Sequence, residues 1–181
     1  MVNYQLTQEN VVTKFYNSLF LAYELADKLN LDREILDKMN TEVICDTKIT
    51  KNENSKRIRH GYTTNDGKTI VLDGGYFAQV LKRSSRLKKF KEETLQSLFE
   101  VCYQFWMDHE FLHSYLTLSG EAEKIWKTNE NEKYRRVNYR RKMEAMRNKL
   151  QKKFTAYRIE FSKDENTKKI WLYWIRVLSK P

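Results

Sequence analysis

The chain has 181 residues, 40% of them hydrophobic, 13% aromatic and 32% charged, and a net charge of +10. That length suits one domain whose core needs no disulfide or structural metal, and the composition excludes a disordered tail. No apolar run approaches the ~18 residues of a membrane span, and residues 1–10 lack the basic and apolar stretches of a secretory leader.

Cys45 and Cys102 lie too far apart in sequence to form a ligand pair and read as reduced thiols. The expectation is a cytoplasmic protein without a membrane partner. The charge is uneven. Residues 1–60 hold nine Lys/Arg and nine Asp/Glu, whereas residues 61–181 hold 25 and 15. A basic half points to nucleic acid or an acidic partner surface, or serves solubility alone.

In chain order, Val12, Phe15, Leu19, Ala22, Ala26 and Leu29 recur at helical spacing and predict a helix over residues 10–30. Asp32 suits the cap of a short helix ending at Lys38. Residues 41–49 are β-branched and read as a strand. Residues 57–64 and 69–73 flank Asn65-Asp66-Gly67-Lys68, a hairpin signal.

Helices follow over 76–87 and 90–118. The second carries the apolar stripe Leu95, Leu98, Phe99, Cys102, Phe105, Trp106, Leu112 and Leu116. A basic helix is predicted over 130–154. Residues 155–161 and 169–178, rich in Tyr, Trp and Ile, read as a closing β-hairpin around Asp164-Glu165-Asn166-Thr167. The sole proline is Pro181, so nothing breaks these helices from within. The expected fold class is α+β: one domain over 1–181, mostly helical with a small antiparallel sheet. Residues 1–60 form a helical and strand N-terminal part, 61–154 a core built on the longest helix, and 155–181 the hairpin.

The longest helix contains His109-Glu110-Phe111-Leu112-His113. Side chains at i and i+4 share a helical face about 5–6 Å apart, so two imidazoles there can reach one Zn²⁺ at about 2.0–2.1 Å. Glu110, one position round, can serve as general base towards a water that the metal polarises. The alternative is two buried, hydrogen-bonded core histidines continuing the stripe. His60, on the first hairpin strand, reads as a core or solvent-facing histidine. A third zinc ligand downstream would be a carboxylate: Glu144 on the next helix, or Glu121 or Glu123 closer by, with Glu130 and Glu132 further candidates.

With the extended segment 69–73, the HExxH motif and Glu144-Ala145 on a later helix, the chain resembles the zincin metallopeptidases over residues 69–150. Within them it looks most like the ImmA/IrrE-type metallo-endopeptidases. The resemblance implies His109, His113 and Glu144 as metal ligands, Glu110 as catalytic base and Zn²⁺ as cofactor. It further implies hydrolysis of a peptide bond in a specific protein target, with residues 69–73 pairing with the substrate backbone as an added strand.

The stretch 124–153 holds twelve Lys/Arg and three Glu, densest at Arg135, Arg136, Arg140, Arg141 and Lys142. It reads either as a solvated helix face or as a footprint for nucleic acid or an acidic partner, with steep salt dependence. A non-catalytic basic protein that binds nucleic acid, or a nucleic-acid-processing complex, is therefore the second reading. Trp171, Tyr173 and Trp174 are candidates for core or for base stacking. Tyr134 and Tyr139 are candidate oxyanion donors.

Overall fold

Helix α1 (Gln8–Leu29) starts where Thr7 adopts an extended conformation and its side-chain oxygen accepts the Asn10 N–H at 3.2 Å. It ends at Asn30, which takes the left-handed conformation at φ 52°. Its buried face is Val11, Phe15, Ser18, Ala22, Leu25 and Ala26. Asp32 caps α2 (Arg33–Lys38) by accepting the N–H groups of Glu34 and Ile35. The structure, a computed structural model, describes residues 4–47, 60–128 and 135–178. Part of the expected first strand (48–49), the start of the hairpin (57–59), Glu130, Glu132 and Tyr134 lie outside the described residues.

Three strands follow: β1 (Glu42–Asp46), β2 (Gly61–Thr63) and β3 (Thr69–Asp73). The hairpin forms as its sequence implies. Asp66 Oδ1 accepts the Lys68 N–H at 3.0 Å and the Thr64 hydroxyl at 2.6 Å, and Gly67 takes φ 73°. The sheet order is β1-β3-β2, with β1 parallel and β2 antiparallel to β3. The sheet is thus mixed, not purely antiparallel. Ile70, Val71 and Leu72 are buried in succession, the pattern of a central strand covered on both faces.

The two sheet edges differ. Along β1, the Gln8 side chain donates to Val43 O at 2.6 Å and accepts from Cys45 N at 2.7 Å, so a side-chain amide covers that edge. The outer side of β2 opens on a cleft described below.

Helix α3 (Tyr76–Arg83) and a 3₁₀ turn (Leu87–Lys89) lead into α4 (Glu92–Leu118), the central helix, of 27 residues. It buries Phe99, Tyr103, Met107, Phe111 and Leu112, nearly all round its circumference. Helix α1 packs along it in parallel, through Lys14–Glu100, Asn17–Gln104 and Ser18–Asp108 contacts. A short α5 (Glu121–Lys127) follows, then α6 (Arg135–Glu160) and α7 (Glu165–Leu178). Among the described residues no helix is long and apolar enough to cross a membrane.

The expected closing hairpin is replaced by the last turns of α6 and by α7. Asp164, read as a turn residue, caps α7 by accepting the Thr167 N–H at 2.8 Å. Ile170, Trp171, Trp174 and Leu178 pack together on Val101, Phe105 and Trp106 of α4. Their spacing is one helical face, and that burial overrides the strand preference of the individual aromatics. Trp174 stacks on Phe105 with ring centroids 4.2 Å apart, whereas Tyr173 is exposed.

Candidate functional site: a histidine pair, a buried glutamate and an arginine

Helix α6 runs antiparallel to α4 and presents Met143, Arg147, Gln151, Phe154 and Thr155 as its buried face. Arg147 of that face reaches the HExxH turn. Its Nη1 lies 3.1 Å from Nε2 of His109 and 3.1 Å from Nε2 of His113. A guanidinium only donates, so both imidazoles accept at Nε2 and turn their ring lone pairs towards one cation. Burial holds the His109 pKa well below its ordinary value. The charges of Arg147, His60 and His113 add to this, while the Gln151 side chain opposes it. His113 is also lowered, first by burial; Glu110 opposes the shift and Arg147 reinforces it. Both rings are therefore neutral near pH 7.

Glu110 is 4% exposed and does not face the guanidinium directly. Its Oε1 lies 2.8 Å from His60 Nε2, and its Oε2 accepts the Thr63 hydroxyl at 2.7 Å. Burial alone would raise the Glu110 carboxyl, but hydrogen bonds from His60 and Thr63 and the neighbouring imidazoles bring it below its ordinary value. His60 is fixed in turn by a parallel stack on Trp106, with centroids 3.6 Å apart and planes 9° apart. His60, His109 and Glu110 bring one ligand atom each within 4.8 Å of one another. His60 is thus a member of the site, which its isolated position in the sequence did not indicate. Its signal lies in the hairpin: the Asp66-Gly67 turn lays β2 against α4, and Ser114 Oγ fixes that turn by donating to Gly67 O at 2.5 Å.

Glu144, the expected third ligand, is exposed at the rim of the cleft that His113 and Arg147 line. Met143 and Arg147 hold the inward face of α6, and a residue one position after Met143 is turned about 100° away from it. Glu121 and Glu123 sit in the first turn of α5, and Glu123 pairs with Lys127. Of the expected basic footprint, Arg136, Arg140, Arg141 and Lys142 are exposed along α6. Arg135 lies over the Trp126 ring, 5.7 Å from its centroid. Tyr139 and Arg140 line the cleft.

The cleft has a volume of about 950 Å³. One wall is the β2 hairpin, Gly61 to Asn65; the other is α5 and α6; Glu110 and His113 lie between them. Imidazole nitrogens and a carboxylate oxygen are the ligand types that zinc takes. Two neutral imidazoles converge on a point already held by a cationic nitrogen, with a buried carboxylate oxygen 3.8 Å from His109 Nε2. Comparison of the chain with protein-family models, with curated proteins and with solved structures finds no match.

Proposed function

We propose that this protein is a zinc-dependent endopeptidase of the zincin kind, most like the ImmA/IrrE-type enzymes, cleaving an extended segment of a specific protein target. The observation that carries this reading is the convergence of the His109 and His113 Nε2 lone pairs beside buried Glu110, next to a cleft that Glu110 and His113 line and a sheet edge walls. A zinc ion held there supplies Lewis-acid polarisation of the scissile carbonyl and of the attacking water.

The chain's own residues do the rest. Glu110 is ionised near pH 7 and takes the proton of the attacking water. His60 and Thr63 hold its two carboxylate oxygens in place. The third protein ligand would be Glu144, from the cleft rim.

Substrate pairing belongs to β2. Residues 69–73 form the central strand, with β1 on one side and β2 on the other, so they have no edge to offer. The bonds Asp73 N to His60 O (2.8 Å) and Thr64 N to Thr69 O (2.9 Å) put the backbone groups of His60, Tyr62 and Thr64 towards β3. By alternation those of Gly61 and Thr63 point outward, along the cleft wall, where an extended peptide can add as a strand.

The test pairs metal content with turnover. About one zinc per chain is expected in protein purified without added metal, lost in His109→Ala and in His113→Ala. Glu110→Gln should fold and keep its zinc, yet lose peptide cleavage by about 10²–10⁴-fold. Wild-type protein that neither carries nor takes up zinc would sink the reading.

The exposed row Arg136, Arg140, Arg141 and Lys142 favours a second reading, a basic protein that binds nucleic acid or a nucleic-acid-processing complex through α6.

A further inference from the structure

Arg147 is buried, 9% exposed, yet no carboxylate lies within ion-pair distance of it among the described residues. The Glu144 and Glu110 carboxylates favour its charge from a distance, and its direct hydrogen-bond acceptors are neutral. Nη1 bridges the two imidazoles, Nη2 donates to Asn148 Oδ1 at 2.6 Å, and Nε has no hydrogen-bond partner. Burying a cation on this basis is unfavourable. It persists because two imidazole lone pairs on adjacent turns of α4 meet at one point and call for a positive charge.

We propose that Arg147 is a resident cation which competes with the metal for His109 and His113. The inference rests on the metal-site reading above. Both imidazole Nε2 atoms engage Arg147 Nη1, and a metal ion needs those same lone pairs at about 2.0–2.1 Å. The guanidinium and a divalent ion cannot both hold them, so metal entry expels the arginine. α6 provides the exit. Glu144 lies three residues before Arg147, one turn away on the neighbouring helical face, and both line the open cleft. The displaced guanidinium can swing into that open cleft, where solvent supplies the hydrogen bonds that its buried position lacks. Arg147 therefore sets the metal affinity of the site and keeps the metal-free protein ordered.

Competition is read most directly with Co²⁺, whose visible absorption reports its coordination, and with Zn²⁺ against a chromophoric chelator. Wild type, Arg147→Gln and Arg147→Lys are compared, each with and without His113→Ala. Arg147→Gln should bind both metals at least about tenfold more tightly than wild type, the equivalent of about 1.4 kcal/mol. Arg147→Lys should stay closer to wild type, and His113→Ala should abolish binding in every background. Equal or weaker binding by Arg147→Gln, with wild type still binding, would overturn the competition and leave the metal site standing. Failure of both to bind would remove the metal site and the competition together. Should Arg147→Gln not fold, the Arg147 side-chain NMR signal in wild type decides. It should shift as Zn²⁺ saturates the protein, and a signal that stays fixed at saturation overturns the proposal.

Discussion

Arg158 grips Asp108 with two bonds, Nε to Oδ2 and Nη2 to Oδ1, each 2.7 Å, and Asp108 is fully buried. The Ser18 hydroxyl and the Gln104 amide donate to the same carboxylate, at 2.7 and 3.2 Å. One residue before the HExxH motif, this network joins α1, α4 and α6. It also fixes the register in which α6 delivers Arg147, three turns earlier on the same face. Asp108→Ala takes the carboxylate from a half-buried Arg158 and from the Ser18 and Gln104 donors, and should cost about 1.5–3 kcal/mol of stability. Urea unfolding checks this; a loss below about 1 kcal/mol, as for an exposed pair, would contradict it.

Stability should also fall on mild acidification in the metal-free protein. Burial, with the charge of Arg147, holds His109 and His113 below the ordinary imidazole value. Below about pH 6.5 the unfolded chain therefore takes up protons that the folded protein refuses. The contribution of each neutral ring is complete above that pH. It is lost as pH falls towards the folded value, by up to about 1.4 kcal/mol per pH unit per ring. Urea unfolding at pH 7.5, 6.0 and 5.0 should give this slope, and His113→Gln should flatten it. A profile that is level from 7.5 to 5.0 would show that the folded rings take up protons as readily as the unfolded ones.

The parts of the fold that the sequence made legible are those written in local chemistry. Asp66-Gly67 specifies the hairpin by the turn it forms, and the helix carrying His109 and His113 has an apolar stripe long enough to define itself. α6 was harder to read, because its buried positions include Arg147, Gln151 and Thr155. A stripe of polar residues leaves no apolar periodicity, and its partners lie on α4, some 34 to 46 positions away. That is why Glu144, conspicuous beside Ala145, reads from the sequence as an inward residue, whereas Met143 and Arg147 take that face. His60 shows the same limit: its role depends on the Trp106 ring and on the Glu110 carboxylate, the latter 50 residues further along the chain. Residues 169–178 read as a strand because tryptophan, tyrosine and isoleucine favour strands on their own, while the four-residue interval between Ile170 and Trp174 favours a helix packed on Phe105.

The basic face of α6 gives a separable expectation. Arg136, Arg140, Arg141 and Lys142 are exposed, so reversing Arg136, Arg140 and Arg141 to Glu should leave the melting temperature nearly unchanged. If this face meets a phosphate backbone, the reversal should abolish DNA or RNA binding. Wild-type binding should then weaken with log salt at a slope of about −0.9 per phosphate contact on duplex DNA. Filter binding across a salt series measures both. Binding that ignores both salt and charge reversal would exclude α6 as the contact.

His60→Phe isolates the hydrogen bond to Glu110. A phenyl ring retains the stack on Trp106 but offers nothing to Oε1, which in the native protein lies 2.8 Å from His60 Nε2. Thr63 would remain the only side-chain donor of the pair, on the other oxygen. Losing a hydrogen bond to a buried carboxylate should cost about 1.5–3 kcal/mol near neutrality. The sign with pH follows from Glu110. Burial raises its carboxyl, and His60 is the main influence lowering it, so the substitution shifts the folded pKa upward. The native contribution is present above the ordinary carboxylate range and is lost as pH falls through the depressed folded value. The gap between wild type and variant should therefore be widest near pH 7 and close as acid protonates Glu110 in both. Urea unfolding of the two proteins side by side at pH 7 and pH 4 measures it. A gap that is the same at both values would mean that His60 acts through its stack on Trp106 alone, and that Glu110 is held ionised by Thr63.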